Sequence, residues 1–283
     1  GILHEKIILP KKVHDALVSR IKILSALKID EKRLPQDGRF SFEFANQPID
    51  LRISTVPTVF GEKVVMRLLP KSAKPPTLQE LGFRASALKG IESQLTRPHG
   101  IILVCGPTGS GKTTTLAAMI DHINHNQPRN IVTIEDPIEV LHKDHLSIIS
   151  QREVGTDTED YISAMKRIIR QDPDVILIGE LSDLETVQQA LSAAETGHLV
   201  LTSMNTMNAT ETVQKLIDLY PLHQQRSAKM LIAAALKGII CQRLVTKVDG
   251  LGRIPACEVM TMTSRVFDRI VDQSDNALEL EDI

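Results

Sequence analysis

Gly106-Pro107-Thr108-Gly109-Ser110-Gly111-Lys112-Thr113 fits the pattern G-x-x-x-x-G-K-[ST], and each residue type in it has a task on a polyphosphate. Glycines let the backbone curl until its N–H groups face phosphate oxygens, Lys112 reaches the β and γ oxygens, and Thr113 offers a hydroxyl to magnesium. Thr114 follows and completes the candidate nucleotide-binding segment. An apolar run over 101–105 precedes the motif and a helix-compatible run follows it, which is the setting a phosphate-binding loop requires. Hydrolysis needs two more groups, a base for water and an acid beside the magnesium shell. Glu135 closes the apolar run 130–134, within Glu135-Asp136-Pro137-Ile138-Glu139, and Glu180 closes 174–179. A single acid at a strand end marks a solvated loop. Two of them on the sheet edge that carries a phosphate loop mark a hydrolytic site.

Those positions depend on a particular set of elements. Beyond residue 76 the apolar runs 101–105, 130–134, 174–179 and 198–203 alternate with helical patterns, which predicts an α/β domain with a mainly parallel sheet and crossover helices. Thr156 with Glu159 and Ser182 with Glu185 read as capping boxes, while Asp172-Pro173 and Gly197 end helices. Near the end, 243–248 and 253–260 flank Asp249-Gly250-Leu251-Gly252 as a hairpin. The first 70 residues read differently. Val13, Leu17, Ile21 and Leu24 recur at helical spacing. Phe40, Phe42 and Phe44, then Ile49, Leu51 and Ile53, alternate, and 63–69 forms a third strand-like run. This predicts a smaller α+β domain over 1–70, a linker over 71–76 (Lys71-Ser72-Ala73-Lys74-Pro75-Pro76) and the larger domain over 77–283.

Composition narrows the function classes. Of 283 residues, 33 are Lys or Arg and 35 are Asp or Glu, so a formal charge of -2 gives no global attraction to nucleic acid or to an anionic membrane. Aromatic residues make up 3%, with no tryptophan, which leaves few stacking platforms for single strands. Three cysteines lack both metal-ligand spacing and the number for a disulfide framework, as expected of a reducing, cytoplasmic setting. No apolar run reaches the roughly 18 residues that span a bilayer. His122, His125, His142 and His145 have no Cys-x-x-Cys beside them and read as a solvated helix face rather than a metal site. The chain opens on Gly1 rather than methionine, which suggests a piece of a longer polypeptide.

Nearly the whole chain resembles the secretion ATPase family that drives type II secretion and type IV pili. Gly106 to Thr113 matches its Walker A, Thr133-Ile134-Glu135-Asp136-Pro137 its aspartate box, Asp172 to Glu180 its Walker B, and Thr196-Gly197-His198-Leu199-Val200 its histidine box. Upstream, 33–39, 50–55 and 61–67 resemble the family's N-terminal domain. The resemblance implies a RecA-like P-loop ATPase domain behind a truncated N-terminal domain, with ATP and Mg2+ as ligands. Glu135 is then the base that positions water and Glu180 the acid near magnesium, although two carboxylates in one site can exchange those roles. Thr113 shares the magnesium. Arg52 and Arg67 match arginines that reach toward phosphate, with Arg39 a weaker third, and His198 matches a γ-phosphate sensor.

The implied assembly is a homo-hexamer on the cytoplasmic face of the inner membrane, held there by a platform protein and binding no nucleic acid. Two residues depart from the family pattern: Ser182 stands where an arginine is usual, and Asn205 where a second histidine is usual. They keep open a scaffold that binds nucleotide with little turnover. Related rings keep open a DNA-transfer translocase. The short turn over 249–252 and Gln151-Arg152-Glu153-Val154-Gly155 resemble the retraction branch, whereas the upstream motifs resemble the assembly branch.

Overall fold

The computed structural model describes residues 4–44, 47–70, 75–248 and 252–272. Contacts divide the chain into two compact units, 1–72 and 73–283. The first four residues of the expected linker, Lys71 to Lys74, lie outside the described residues, as does the hairpin tip over 249–251.

Among its described residues the first unit has one α-helix, α1 (His14–Leu24), and three antiparallel strands, β1 (Gln36–Phe44), β2 (Gln47–Thr58) and β3 (Gly61–Pro70), with β2 central. Alternation along β2 does the sorting: Leu51, Ile53 and Thr55 are buried, while Arg52 between them is exposed. Lys22 of α1 is buried and faces Glu62 of β3 at 2.5 Å, with its ammonium also donating to the Glu31 carbonyl at 2.7 Å. A buried cation without such partners would be strongly unfavourable, so this contact helps to fix the helix on the sheet. Register places Arg39 opposite Arg52, and Arg52 opposite Arg67, so three arginines form one row across the three strands.

The second unit is the expected α/β domain. Its elements are α2 (Ala85–Leu95), β4 (Gly100–Cys105), α3 (Lys112–Asn126), β5 (Asn130–Glu135), β6 (Ile148–Glu153), α4 (Tyr161–Ile168), β7 (Val175–Ile178), α5 (Leu184–Glu195), β8 (Leu199–Met204), α6 (Ala209–Asp218), α7 (Gln225–Ala235), β9 (Leu236–Thr246), β10 (Arg253–Thr261) and α8 (Ser264–Val271). The sheet order is β10-β9-β4-β8-β7-β5-β6, parallel except where β10 returns antiparallel to β9. Both faces are covered. Ile101, Leu103 and Cys105 of β4 join one apolar core, and Ile102 and Val104 join the other. That is why the strand reads as an unbroken apolar run.

Four local expectations are corrected. Helix α4 is capped by Asp160, whose carboxylate accepts from the Ser163 N–H, because Thr156 is spent in a turn on the Glu153 carbonyl. Helix α5 is capped by Asp183 rather than Ser182; its two carboxylate oxygens accept from the Thr186 N–H and hydroxyl together. Strand β6 has only a broken apolar pattern and escapes periodicity, being held by its pairing with β5. Strand β9 begins at Leu236, well before the expected start of its hairpin.

Candidate active site

Strands β4, β5, β7 and β8 run parallel, so the segments that follow them emerge at one edge of the sheet. The phosphate loop follows β4. Gly106, Gly109 and Gly111 take φ of 147°, 81° and 90°, a region that side chains disfavour. Gly106 is also needed for space: a Cβ there would meet the Gln242 carbonyl at 2.3 Å and Ser110 Oγ at 2.5 Å. Pro107, Thr108 and Gly109 form the open crest of the loop, Ser110 is buried beneath it, and Lys112, Thr113 and Thr114 begin α3.

Gln242 of β9 holds the loop from below. Its amide donates to the Ser110 carbonyl at 2.7 Å and accepts from Thr115 Oγ1 at 2.9 Å. Both contacts are buried, so the clamp sets the loop's height over the sheet. The Lys112 ammonium donates to the Gly106 carbonyl at 2.8 Å and to Asn205 Oδ1 at 2.7 Å. Asn205, just past β8, turns its other side to the acid, and Nδ2 donates to Glu180 Oε1 at 2.5 Å. An ammonium can only donate and a carboxylate can only accept, so an amide between them satisfies both. Desolvation lowers the Lys112 pKa and the neighbouring Glu180 carboxylate opposes that shift.

Glu135 ends β5. Its Oε1 accepts from Thr133 Oγ1 at 2.7 Å and from Gln151 Nε2 at 3.0 Å. Thr133 and Gln151 are register partners on β5 and β6, which is how two donors from different strands meet one oxygen. Gln151 is itself fixed, donating to the Val140 carbonyl at 2.9 Å and accepting from the His142 N–H at 2.9 Å. Burial pushes the Glu135 carboxyl above the ordinary range; its two donors oppose this, and Glu139 and Glu153 add to it. The strand ends are stapled together. The Gly179 N–H donates to the Ile134 carbonyl at 2.8 Å, Ser203 Oγ to the Gly179 carbonyl at 2.7 Å, and the Leu181 N–H to the Ser203 carbonyl at 2.9 Å.

The structure therefore brings Lys112, Glu135 and Glu180 to one edge. It does not bring His198 there. His198 precedes β8, at the end of the strand opposite Asn205, and β8 pairs with β4 from Gly100 to Cys105. Six strand residues, roughly 20 Å, separate it from the loop edge. Its Nδ1 is held 2.9 Å from the Ala193 carbonyl, which closes the turn after α5. Arg52 and Arg67 lie in the arginine row of the first unit. The residues that sequence reasoning missed are Gln151 and Gln242. Glutamine carries no spacing signal, and only its place on β6 or β9 reveals what it holds.

The sequence pattern of the Type II/IV secretion system protein family matches residues 1–278. The chain belongs to that family. It is 43% identical over 272 residues to the type II secretion system protein HxcR of Pseudomonas aeruginosa, covering 93% of this chain and 56% of that protein. It is also 43% identical over 246 residues to the type II secretion system ATPase E of Vibrio cholerae, covering 87% and 47%. The chain thus spans about half the length of these relatives. Among solved structures, the pilus retraction motor PilT with bound ADP superposes with a TM-score of 0.75 at 40% identity, over 85% of this chain and 67% of that one. The DotB ATPase of Legionella pneumophila, at 22% identity and a TM-score of 0.78, shares the fold.

This secretion-family chain keeps the elements a nucleotide would need. Thr113 and Glu180 offer oxygens at the loop edge, Ser110 Oγ is buried there with no partner among the described residues, and α3 points its N-terminus into the loop. Those groups suit ATP and magnesium. Among the described residues, no group of three or more His, Cys, Asp or Glu is arranged as a metal site; His125 and His145 instead stack at 4.0 Å. Among the same residues, no helix is long and apolar enough to cross a membrane.

Proposed function

We propose that this chain binds and hydrolyses ATP as the motor part of a type II secretion or type IV pilus machine. The observation that carries the reading is the Lys112–Asn205–Glu180 bridge on the same sheet edge as Glu135. The loop amides and Lys112 take the phosphates, and Thr113 with Glu180 holds magnesium, which offsets phosphate charge when bound. Glu135 takes the proton of the attacking water through Oε2, because Oε1 is occupied by Thr133 and Gln151. Its raised pKa makes it a stronger base than an exposed glutamate.

By family likeness the proposal extends to Arg52 and Arg67 as further phosphate contacts. Family likeness extends the proposal to a homo-hexamer working on the cytoplasmic face of the inner membrane, against a platform protein. Steady-state ATP hydrolysis, measured beside Lys112→Ala, tests it. Turnover well above that variant is expected. ATP binding with turnover equal to that variant would instead assign a nucleotide-gated scaffold.

A further inference from the structure

The segment over 136–147 links β5 to β6 without a helix of its own, and side chains from two neighbouring elements fasten it. At its β6 end Asn124 of α3, fully buried, donates through Nδ2 to the Lys143 carbonyl at 2.8 Å and accepts through Oδ1 from the His145 and Ser147 N–H groups at 3.0 and 3.3 Å. Nearer β5, Glu153 Oε2 accepts from the Ile138 N–H at 3.4 Å. Gln151 of β6 holds the stretch between: Nε2 donates to the Val140 carbonyl at 2.9 Å and Oε1 accepts from the His142 N–H at 2.9 Å. Backbone groups have fixed polarity, so these two contacts admit only one orientation of the amide; flipped, it would set oxygen against oxygen and N–H against N–H. One Nε2 proton is then left over. Glu135 Oε1 receives it at 3.0 Å, beside the bond from Thr133 Oγ1 at 2.7 Å.

We infer that Gln151 is a positioning residue for ATP hydrolysis: the 136–147 segment aims its amide, and the amide pins Glu135 Oε1 so that the carboxylate stays ionised with Oε2 left for the proton of water. The inference rests on the reading of Glu135 as the base. A donor to a carboxylate stabilises its charged form. Here that donor works against burial and against two acids, Glu139 from the segment after β5 and Glu153 from β6. Of the other titratable groups at this edge, the Tyr161 phenol of α4 stays neutral and Glu180, after β7, is engaged by Asn205. Without Gln151 one donor, Thr133, remains, and the carboxylate can pivot about it.

Gln151→Met keeps much of the volume and removes the donor. The acid limb of the pH profile of kcat should move upward by about one pH unit, with turnover on that limb falling about tenfold. The KM for ATP should hold within about twofold, because the phosphate loop is untouched. Gln151→Glu has the shape of the parent side chain but turns a second carboxylate toward Glu135, so it should move the limb further; two carboxylates on one contact favour keeping a proton. Ser147→Ala is the control for a loosened segment. Its hydroxyl donates to the Gln127 carbonyl at 2.7 Å and accepts from the Arg129 N–H at 3.2 Å, so its loss should lower the melting temperature and leave the limb in place. An acid limb that stays in place in Gln151→Met, or in Gln151→Glu should the first variant not fold, would overturn the inference, as would an equal displacement in Ser147→Ala. Glu135→Gln separates the two layers. If it abolishes turnover while the Gln151 variants leave the limb unmoved, the role of Gln151 alone fails; if it retains turnover, the base assignment fails and the inference with it.

Discussion

Glu135→Gln should damage catalysis and improve folding at once, because burial acts on the charged form alone. The amide oxygen can keep both donors that Glu135 Oε1 receives, Thr133 Oγ1 at 2.7 Å and Gln151 Nε2 at 3.0 Å. What disappears is the acceptor at Oε2, where an NH2 cannot take a proton. Loss of a positioned general base lowers turnover by about two to four orders of magnitude, or about 3 to 5 kcal/mol of transition-state stabilisation. ATP affinity should hold within a few-fold, since the change leaves the loop and Lys112 untouched.

Stability should move the other way. The folded pKa of Glu135 lies above its ordinary 4.5, mainly through desolvation, so the protonated side chain is the one the fold prefers. That contribution is fully present below 4.5 and is lost as pH rises through the folded value. Glutamine stays neutral throughout. The variant should therefore melt higher than the parent at pH 8, and the gain should vanish toward pH 4, each tenfold change in acidity being worth about 1.4 kcal/mol. Melting curves at several pH values, run beside single-turnover hydrolysis, check both signs. Turnover within threefold of the parent would refute the base; a lower melting temperature at pH 8 would refute the burial argument.

Asn205→Asp should place two carboxylates on one contact and leave Lys112 as their shared cation, so turnover should fall at least tenfold and regain part of the loss at lower pH, read from the kcat profile. Asn205→Ala, lacking the second charge, should lose turnover without that recovery. Gln242→Leu leaves the Ser110 carbonyl and Thr115 hydroxyl buried without their partner, which should cost about 3 kcal/mol in urea unfolding and weaken nucleotide binding as the loop loses its support.

The parts of this molecule legible in the sequence are those with a period or a fixed spacing. The apolar run of β4 announces a strand covered on both faces, and the glycines at 106, 109 and 111 announce a loop that only such residues can make. Glu135 and Glu180 are readable because a parallel sheet sends strand ends to one edge. Periodicity misplaces the caps by one to four positions because Ser, Thr and Asp can all accept an N–H, and the choice between Ser182 and Asp183 depends on where the chain leaves the sheet. His198 shows a related limit. Its type and motif suggest the site, but strand direction decides which edge a residue occupies, and β8 carries it away from Asn205.

The same topology bears on how the site handles protons. A histidine at position 205 could bridge Lys112 and Glu180 only while neutral, because protonation would replace its acceptor with a second donor aimed at an ammonium. Asn205 makes both bonds in one fixed orientation and does not titrate near neutral pH. Asn205 thereby adds no titrating group of its own between Lys112 and Glu180. What remains is Glu135, raised by burial and by the acids around it, and steadied by donors from β5 and β6. A single acid limb in the hydrolysis profile follows from that division. Asn205→His should add a second one, appearing as a steeper loss of turnover below about pH 6.5.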